Sequence, residues 1–151
     1  MSEGTGSRDK TDGSSGRGHR VLLVEDHAPL AEAMAEFMRS QGLEVWIAST
    51  GTNALEIAPA FKPEIVLCDM RLPDMAGLEV ARALRATVTS DALIAMHTAL
   101  TESDLHVIKR YTDASVNVFV SKPLTKEKLD SLLSQLEVLQ SSAADAHDRA
   151  K

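Results

Sequence analysis

Aromatic residues are scarce in this chain: Phe, Tyr and Trp together make up 3% of its 151 residues. That scarcity argues against an all-β sandwich and against a surface that stacks nucleic-acid bases. Basic residues are not in excess either. Sixteen Lys and Arg stand against 22 Asp and Glu, for a net charge of -6, which excludes the clustered positive face that nucleic acid requires. The single cysteine, Cys68, has no internal disulfide partner and lies inside an apolar run, where it reads as a small buried hydrophobe. No stretch approaches the roughly 18 apolar residues of a membrane span, and no apolar segment follows Met1 as a secretory signal would. The expectation is a soluble, cytoplasmic chain with neither a nucleic-acid nor a membrane partner. What the chain does have is 44% hydrophobic residues, enough for one domain with a sizeable core.

Residues 1–19 read as a disordered tail, rich in Gly and Ser and nearly free of apolar groups. Residues 20–140 read as one domain in which strand-like and helix-like segments alternate. Residues 141–151 read as an extension of the last helix or a second tail. Strands are predicted at Arg20–Glu25, Leu43–Ala48, Glu64–Cys68, Ala92–Met96 and Val116–Val120. Helices are predicted from about Pro29 to Gly42, at Thr52–Phe61, Leu78–Ala86 and Thr101–Tyr111, and from Thr125 to about Gln140. Five strands alternating with five helices call for a parallel sheet covered on both faces. The unbroken apolar runs Val21–Val24 and Ile65–Leu67 fit strands buried on both sides.

Charged residues close three of these runs. Glu25 and Asp26 end the first, Asp69 ends the third, and Lys122 follows the fifth. In an open α/β sheet, ligands bind in the crevice beyond the carboxyl ends of the strands. Three carboxylates gathered there repel one another unless a cation intervenes. Oxygen donors in a phosphate setting favour Mg²⁺. Asp69 can act as a nucleophile toward phosphorus, with metal and Lys122 neutralising the phosphoryl oxygens and the Thr98 hydroxyl binding one of them. Pro123 is a candidate for a cis peptide bond, which proline reaches at about 0.5–1 kcal/mol. Each residue also has a plain structural reading: a solvated loop start for Glu25–Asp26, a turn cap for Asp69, a strand end for Lys122.

In this order, Glu25–Asp26, Cys68–Asp69–Met70–Arg71–Leu72–Pro73–Asp74–Met75–Ala76–Gly77, His97–Thr98–Ala99 and Phe119–Val120–Ser121–Lys122–Pro123 resemble the receiver domain of two-component response regulators over about residues 20–140. The resemblance implies a flavodoxin-like doubly wound sheet of strand order 2-1-3-4-5. It implies that Asp69 takes phosphate from a sensor histidine kinase or a phosphotransfer domain. Glu25, Asp26, Asp69 and the main-chain carbonyl of Arg71 would hold Mg²⁺. Thr98 and Phe119 would be switch residues biasing a surface made by the fourth helix, fifth strand and fifth helix. An unknown downstream protein would bind that surface. The expectation is a stand-alone phosphoacceptor without turnover activity.

The chain departs from the family's pattern in places. Ser115–Val116 replaces the usual Gly-Ala before the fifth strand, and Phe119 lacks a phenolic hydroxyl. Leu100, two positions after Thr98, would hinder an attacking water and prolong the phosphoryl group. His27 and His97 flank the site but suit hard Mg²⁺ poorly as ligands. Leu129, Leu132, Leu136, Leu139, Ala143 and Ala146 read either as a homodimer seam on the last helix or as a face packed on the sheet. The fourth helix–fifth strand–fifth helix face is a second candidate dimer surface. Alternatives of function are a phosphorelay shuttle, a receiver piece of a hybrid kinase, and a phosphatase with an Asp nucleophile. The last wants a second acid where Arg71 stands.

Overall fold

A computed structural model describes residues 18–87, 91–99, 101, 103–104, 106 and 115–150. The elements run β1 (Arg20–Val24), α1 (Ala28–Ser40), β2 (Glu44–Ala48), α2 (Gly51–Phe61), β3 (Ile65–Asp69), α3 (Gly77–Thr87), β4 (Leu93–Thr98), β5 (Val118–Ser121) and α4 (Lys126–Ala150). The strands form one sheet of order β2-β1-β3-β4-β5, parallel throughout. This is the flavodoxin-like order. It puts the ends of β1 and β3 side by side.

Alternate residues of the sheet feed two cores. Val21, Leu23, Ile65, Leu67, Leu93 and Ala95 pack with α1 and α4. Leu22, Val24, Val66, Cys68, Ile94 and Met96 pack with α2 and α3. Burying a side chain such as Leu22 or Ile94 stabilises the fold by about 2 kcal/mol, and both are 0% exposed. Cys68 is likewise fully buried, and burial, then the charges of Asp69 and Glu25, push its thiol well above its ordinary pKa. It is an inert packing group.

Local chemistry sets the element ends. Pro29 occupies the first turn of α1, where its missing N–H is not needed. Gly42, at φ 92°, takes the left-handed turn behind α1. The Thr50 hydroxyl caps α2 by accepting from Asn53 N–H at 2.9 Å. The Thr125 hydroxyl accepts from Lys128 N–H at 3.2 Å and starts α4.

Several predicted boundaries move. The fourth strand extends past Met96 to Thr98, so His97 and Thr98 are strand residues. The fifth begins at Val118, not Val116. Asn117 explains the late start: its side-chain Oδ1 accepts the Ile94 N–H at 2.7 Å, where a ladder carbonyl would otherwise stand. Of the two readings of residues 141–151, the helical extension is the one found: the last helix continues past Gln140 to Ala150, since Ser141–Ser142–Ala143–Ala144 contains no glycine or proline to break it. Of the predicted helix Thr101–Tyr111, Ser103, Asp104 and His106 are described and helical, and Thr101 caps it by accepting from Asp104 N–H at 3.2 Å. Its remainder, and Leu100, lie outside the described residues, as do residues 1–17. Gly18 and His19, counted with the tail, are tied to the β2 side: Gly18 N–H donates to Gly42 O, and Glu44 N–H to His19 O.

Leu129, Leu132 and Leu136 of the candidate seam are at most 1% exposed and belong to the core under α4. The apolar group this helix leaves outside is Val138, 68% exposed. Among the described residues no helix is long and apolar enough to cross a membrane.

At the amino ends of the strands, the half-buried Glu64 closes the sheet. Its Oε1 accepts from Arg20 N–H at 3.0 Å. Its Oε2 accepts from Gln140 Nε2 at 2.9 Å and stands 3.2 Å from His19 Nδ1. Burial raises this carboxyl's pKa, but the bonds from Arg20, Gln140 and His19 outweigh burial and hold it below its ordinary value.

Candidate metal and phosphoryl site

Glu25 is the first residue beyond β1, and its N–H donates to Ala48 O at 3.0 Å, at the end of β2. Its side chain is 3% exposed. One oxygen, Oε2, accepts from His27 N–H at 3.2 Å. The other, Oε1, is buried with no hydrogen-bond partner, and the Lys122 ammonium stands 3.6 Å from it. Burial pushes the Glu25 carboxyl up, and the nearby charges of Asp69 and Asp26 push the same way against the His27 bond and Lys122. Asp26, next in the chain, is exposed.

Asp69 is the last residue of β3. Its Oδ1 accepts from Arg71 N–H at 3.3 Å and its Oδ2 lies 3.4 Å from Lys122 Nζ. Carboxylate oxygens of Glu25, Asp26 and Asp69 all lie within 4.8 Å of one another. Among the described residues this is the one group of three His, Cys, Asp or Glu side chains so gathered. The donors are all hard oxygens, and an orphaned buried carboxylate oxygen is among them, so the set fits a divalent cation such as Mg²⁺.

Lys122 is fixed from behind. Its N–H donates to Thr98 O at 2.7 Å, and the Lys122–Pro123 peptide is cis. Thr98, 4% exposed, ends β4 and pairs in register with Ser121. Phe119 pairs with Met96 and packs half-buried against the α2–α3 core. Arg71 stands at the base of the loop after β3, bridged to Ala76. His97 pairs in register with Asp69. Burial, then the Lys122 charge, pull its pKa down to about 4, so the imidazole is neutral. Neither His97 nor His27 joins the carboxylate group, although His27 contributes its main-chain N–H to Glu25.

Two site residues escaped the sequence reading of their roles. Gly77 is given no role of its own there. A Cβ at this position would collide with the Asp69 carbonyl oxygen, so glycine lets α3 begin directly against the Asp69 backbone. Asp74 is likewise given no role of its own there. Its Oδ1 accepts from Gly51 N–H at 2.8 Å, and its Oδ2 from Thr52 N–H at 2.8 Å and from the Thr52 hydroxyl at 2.6 Å. These bonds, the Thr52 hydroxyl foremost, hold its pKa at about 2. The signal for Gly77 was available: a glycine opening a helix just after a functional loop. Asp74 caps a helix 22 positions earlier in the chain, a relation no local pattern carries.

A parallel 2-1-3-4-5 sheet with an acidic cluster and a lysine at its carboxyl edge defines a class, and comparison with known proteins agrees. Residues 21–134 match the family described as the response regulator receiver domain. The chain belongs to that family, the receivers of two-component response regulators. It is 34% identical over 110 residues to the DNA-binding response regulator MtrA of Mycobacterium tuberculosis, covering 73% of this chain and 46% of MtrA. It is 32% identical over 116 residues to the transcriptional regulatory protein KdpE of the same organism, covering 77% of this chain and 48% of KdpE. The chain thus spans about half the length of the curated relatives it matches. Among solved structures, the response regulator TrrA from Thermotoga maritima, crystallised in complex with Mg(2+)-BeF, superposes with a TM-score of 0.67 at 26% identity, over 78% of this chain and 98% of TrrA.

Proposed function

We propose that this receiver accepts a phosphoryl group from a histidine kinase, or from a phosphotransfer domain, onto Asp69 in a Mg²⁺-dependent reaction, and that the aspartyl phosphate changes a protein-binding surface. The observation that carries this reading is the unsatisfied Glu25 Oε1, buried beside two further carboxylates with Lys122 reaching both Glu25 and Asp69. A buried carboxylate oxygen with no hydrogen bond, and only the 3.6 Å approach of the Lys122 ammonium, is costly to keep, and it makes sense as a ligand. TrrA, a similar chain, is known with Mg²⁺ and a beryllium fluoride group, the two ligand classes that suit this site.

The chemistry is a displacement at phosphorus. An Asp69 oxygen attacks, the P–N bond to the donor histidine breaks, and the imidazole leaves with the electron pair. Glu25, Asp26, Asp69 and the Arg71 carbonyl would hold the cation, which when bound neutralises charge on the phosphoryl oxygens. Lys122 supplies a second positive charge from the end of β5. The Thr98 hydroxyl donates to a phosphoryl oxygen, and Phe119, already packed half-inward, follows it. Through these two residues the predicted fourth helix, β5 and the start of α4 form the responsive surface. The protein is a switch, not a turnover enzyme.

The test is incubation of the 151-residue chain with Mg²⁺ and phosphoramidate, a small donor whose P–N bond stands in for phosphohistidine. Peptide mass mapping is expected to find one phosphoryl group, on Asp69, and none in Asp69→Asn. Modification at another residue, or equal modification of the variant, removes the proposal.

A further inference from the structure

We infer that Asp74 is a positioning residue of the carboxylate site, a brace that fixes the spacing between Asp69 and the Glu25–Asp26 pair; this rests on the metal-dependent reading above. Asp74 touches none of the reacting groups. It acts by closing a ring of contacts over the top of three strands. Glu25 N–H is held by Ala48 O at the end of β2, at 3.0 Å. Three residues later Gly51 opens α2, and the first turn of that helix gives Asp74 three donors between 2.6 and 2.8 Å. From Asp74 the loop returns through the Arg71–Ala76 bridge to Arg71, whose N–H donates to Asp69 Oδ1 at 3.3 Å. Gly77 N–H, bonded to Met70 O at 2.9 Å, locks the other end of the loop.

Packing reinforces the polar contacts. A Cβ on Gly51 would overlap the Met75 side chain and come within 2.8 Å of Val80 Cγ2, so the loop lies directly on the first turn of α2. The brace therefore has a polar point at Asp74 and an apolar point at Met75. Its physical need is plain. Three carboxylates with oxygens inside 4.8 Å repel one another in the metal-free protein. The loop carrying Arg71 and adjoining Asp69 is the short, exposed connection that would give way. An anchor on α2, itself tied to the Glu25 strand end, opposes that drift and keeps the donors close enough for one cation. Outer groups that orient ligands in this way commonly change metal affinity by about 10–100-fold when removed.

A cap on the same helix end separates this role from plain stability. The Thr50 hydroxyl caps α2 through Asn53 N–H, a bond within the helix rather than to the loop after β3. In the full chain, Mg²⁺ titration calorimetry and thermal unfolding are measured for wild type, Asp74→Ala, Asp74→Asn and Thr50→Ala. Asp74→Ala is expected to weaken Mg²⁺ binding roughly tenfold, with Asp74→Asn, which keeps one acceptor oxygen, in between. Thr50→Ala is expected to lower the melting temperature while leaving Mg²⁺ affinity within about twofold of wild type. The inference is overturned if both Asp74 variants bind Mg²⁺ like wild type, or if Thr50→Ala weakens binding as much as Asp74→Ala. Wild type that binds no Mg²⁺ would instead remove the metal reading itself, and the brace with it.

Discussion

Each end of the sheet holds a glutamate, half-buried at the amino end and buried at the carboxyl end, and the two are treated in opposite ways. At the amino end Glu64 has a partner on each oxygen, and its pKa is held below the ordinary value. At the carboxyl end Glu25 has one oxygen bonded and one orphaned, two acidic neighbours, and a raised pKa. The same side chain, in the same sheet, is a fastening at one end and an electrostatically strained member of the carboxylate cluster at the other. The fastening and the proposed site occupy opposite edges, which lets the carboxyl edge stay electrostatically unfavourable without unravelling the fold.

Substitutions at the two ends are expected to separate these roles. The largest effect belongs to Lys122→Met, which removes the cation facing both Glu25 and Asp69. Phosphorylation by phosphoramidate is expected to slow about a hundredfold, measured by initial rates at saturating Mg²⁺; an unchanged rate would mean Lys122 serves only to balance charge. Glu25→Gln comes next and should cut both ways. It removes a ligand, so Mg²⁺ affinity is expected to fall by at least about tenfold. It also relieves burial and repulsion, so the metal-free protein should gain about 1 kcal/mol in denaturant unfolding. A loss of stability there would erase the contrast with Glu64.

Glu64→Gln is expected to leave phosphorylation and Mg²⁺ affinity unchanged and to lower stability by about 2 kcal/mol at neutral pH. The pH dependence follows from the lowered pKa. A carboxyl whose folded value is depressed contributes stability above its unfolded value, near 4.5, and loses that contribution as pH falls through the folded value. The gap between wild type and Glu64→Gln should therefore be full at neutral pH and narrow below pH 4.5. A gap that is constant or widens in acid would show that the Glu64 charge is not what fastens this end.

The contrast also explains what the sequence could tell. Glu25, Asp26, Asp69 and Lys122 were legible because each interrupts or follows an apolar strand, and charge at the end of a buried run is visible in the chain itself. The strands Val21–Val24 and Ile65–Leu67 were legible for the same reason. Glu64 carried no such mark: its partners Arg20, His19 and Gln140 lie 44, 45 and 76 positions away. Asp74 is similar, since the helix it caps belongs to another element. The late start of β5 depended on the Asn117 side chain taking a strand's hydrogen bond, which propensity does not encode. For residues 141–151 the sequence left two readings open, because a polar segment without breakers reads equally as helix or as frayed chain; the helical extension is the one found.

The most direct test of the central claim, that three carboxylates and one lysine form a single metal-dependent phosphoryl-accepting centre, is the Mg²⁺ dependence of Asp69 phosphorylation. With phosphoramidate as donor, wild type should incorporate a phosphoryl group on Asp69 at a rate that rises with Mg²⁺, saturates, and vanishes with chelator, while Glu25→Gln shifts the half-saturating concentration upward. Phosphorylation of Asp69 at the same rate with chelator as with Mg²⁺ would contradict the claim.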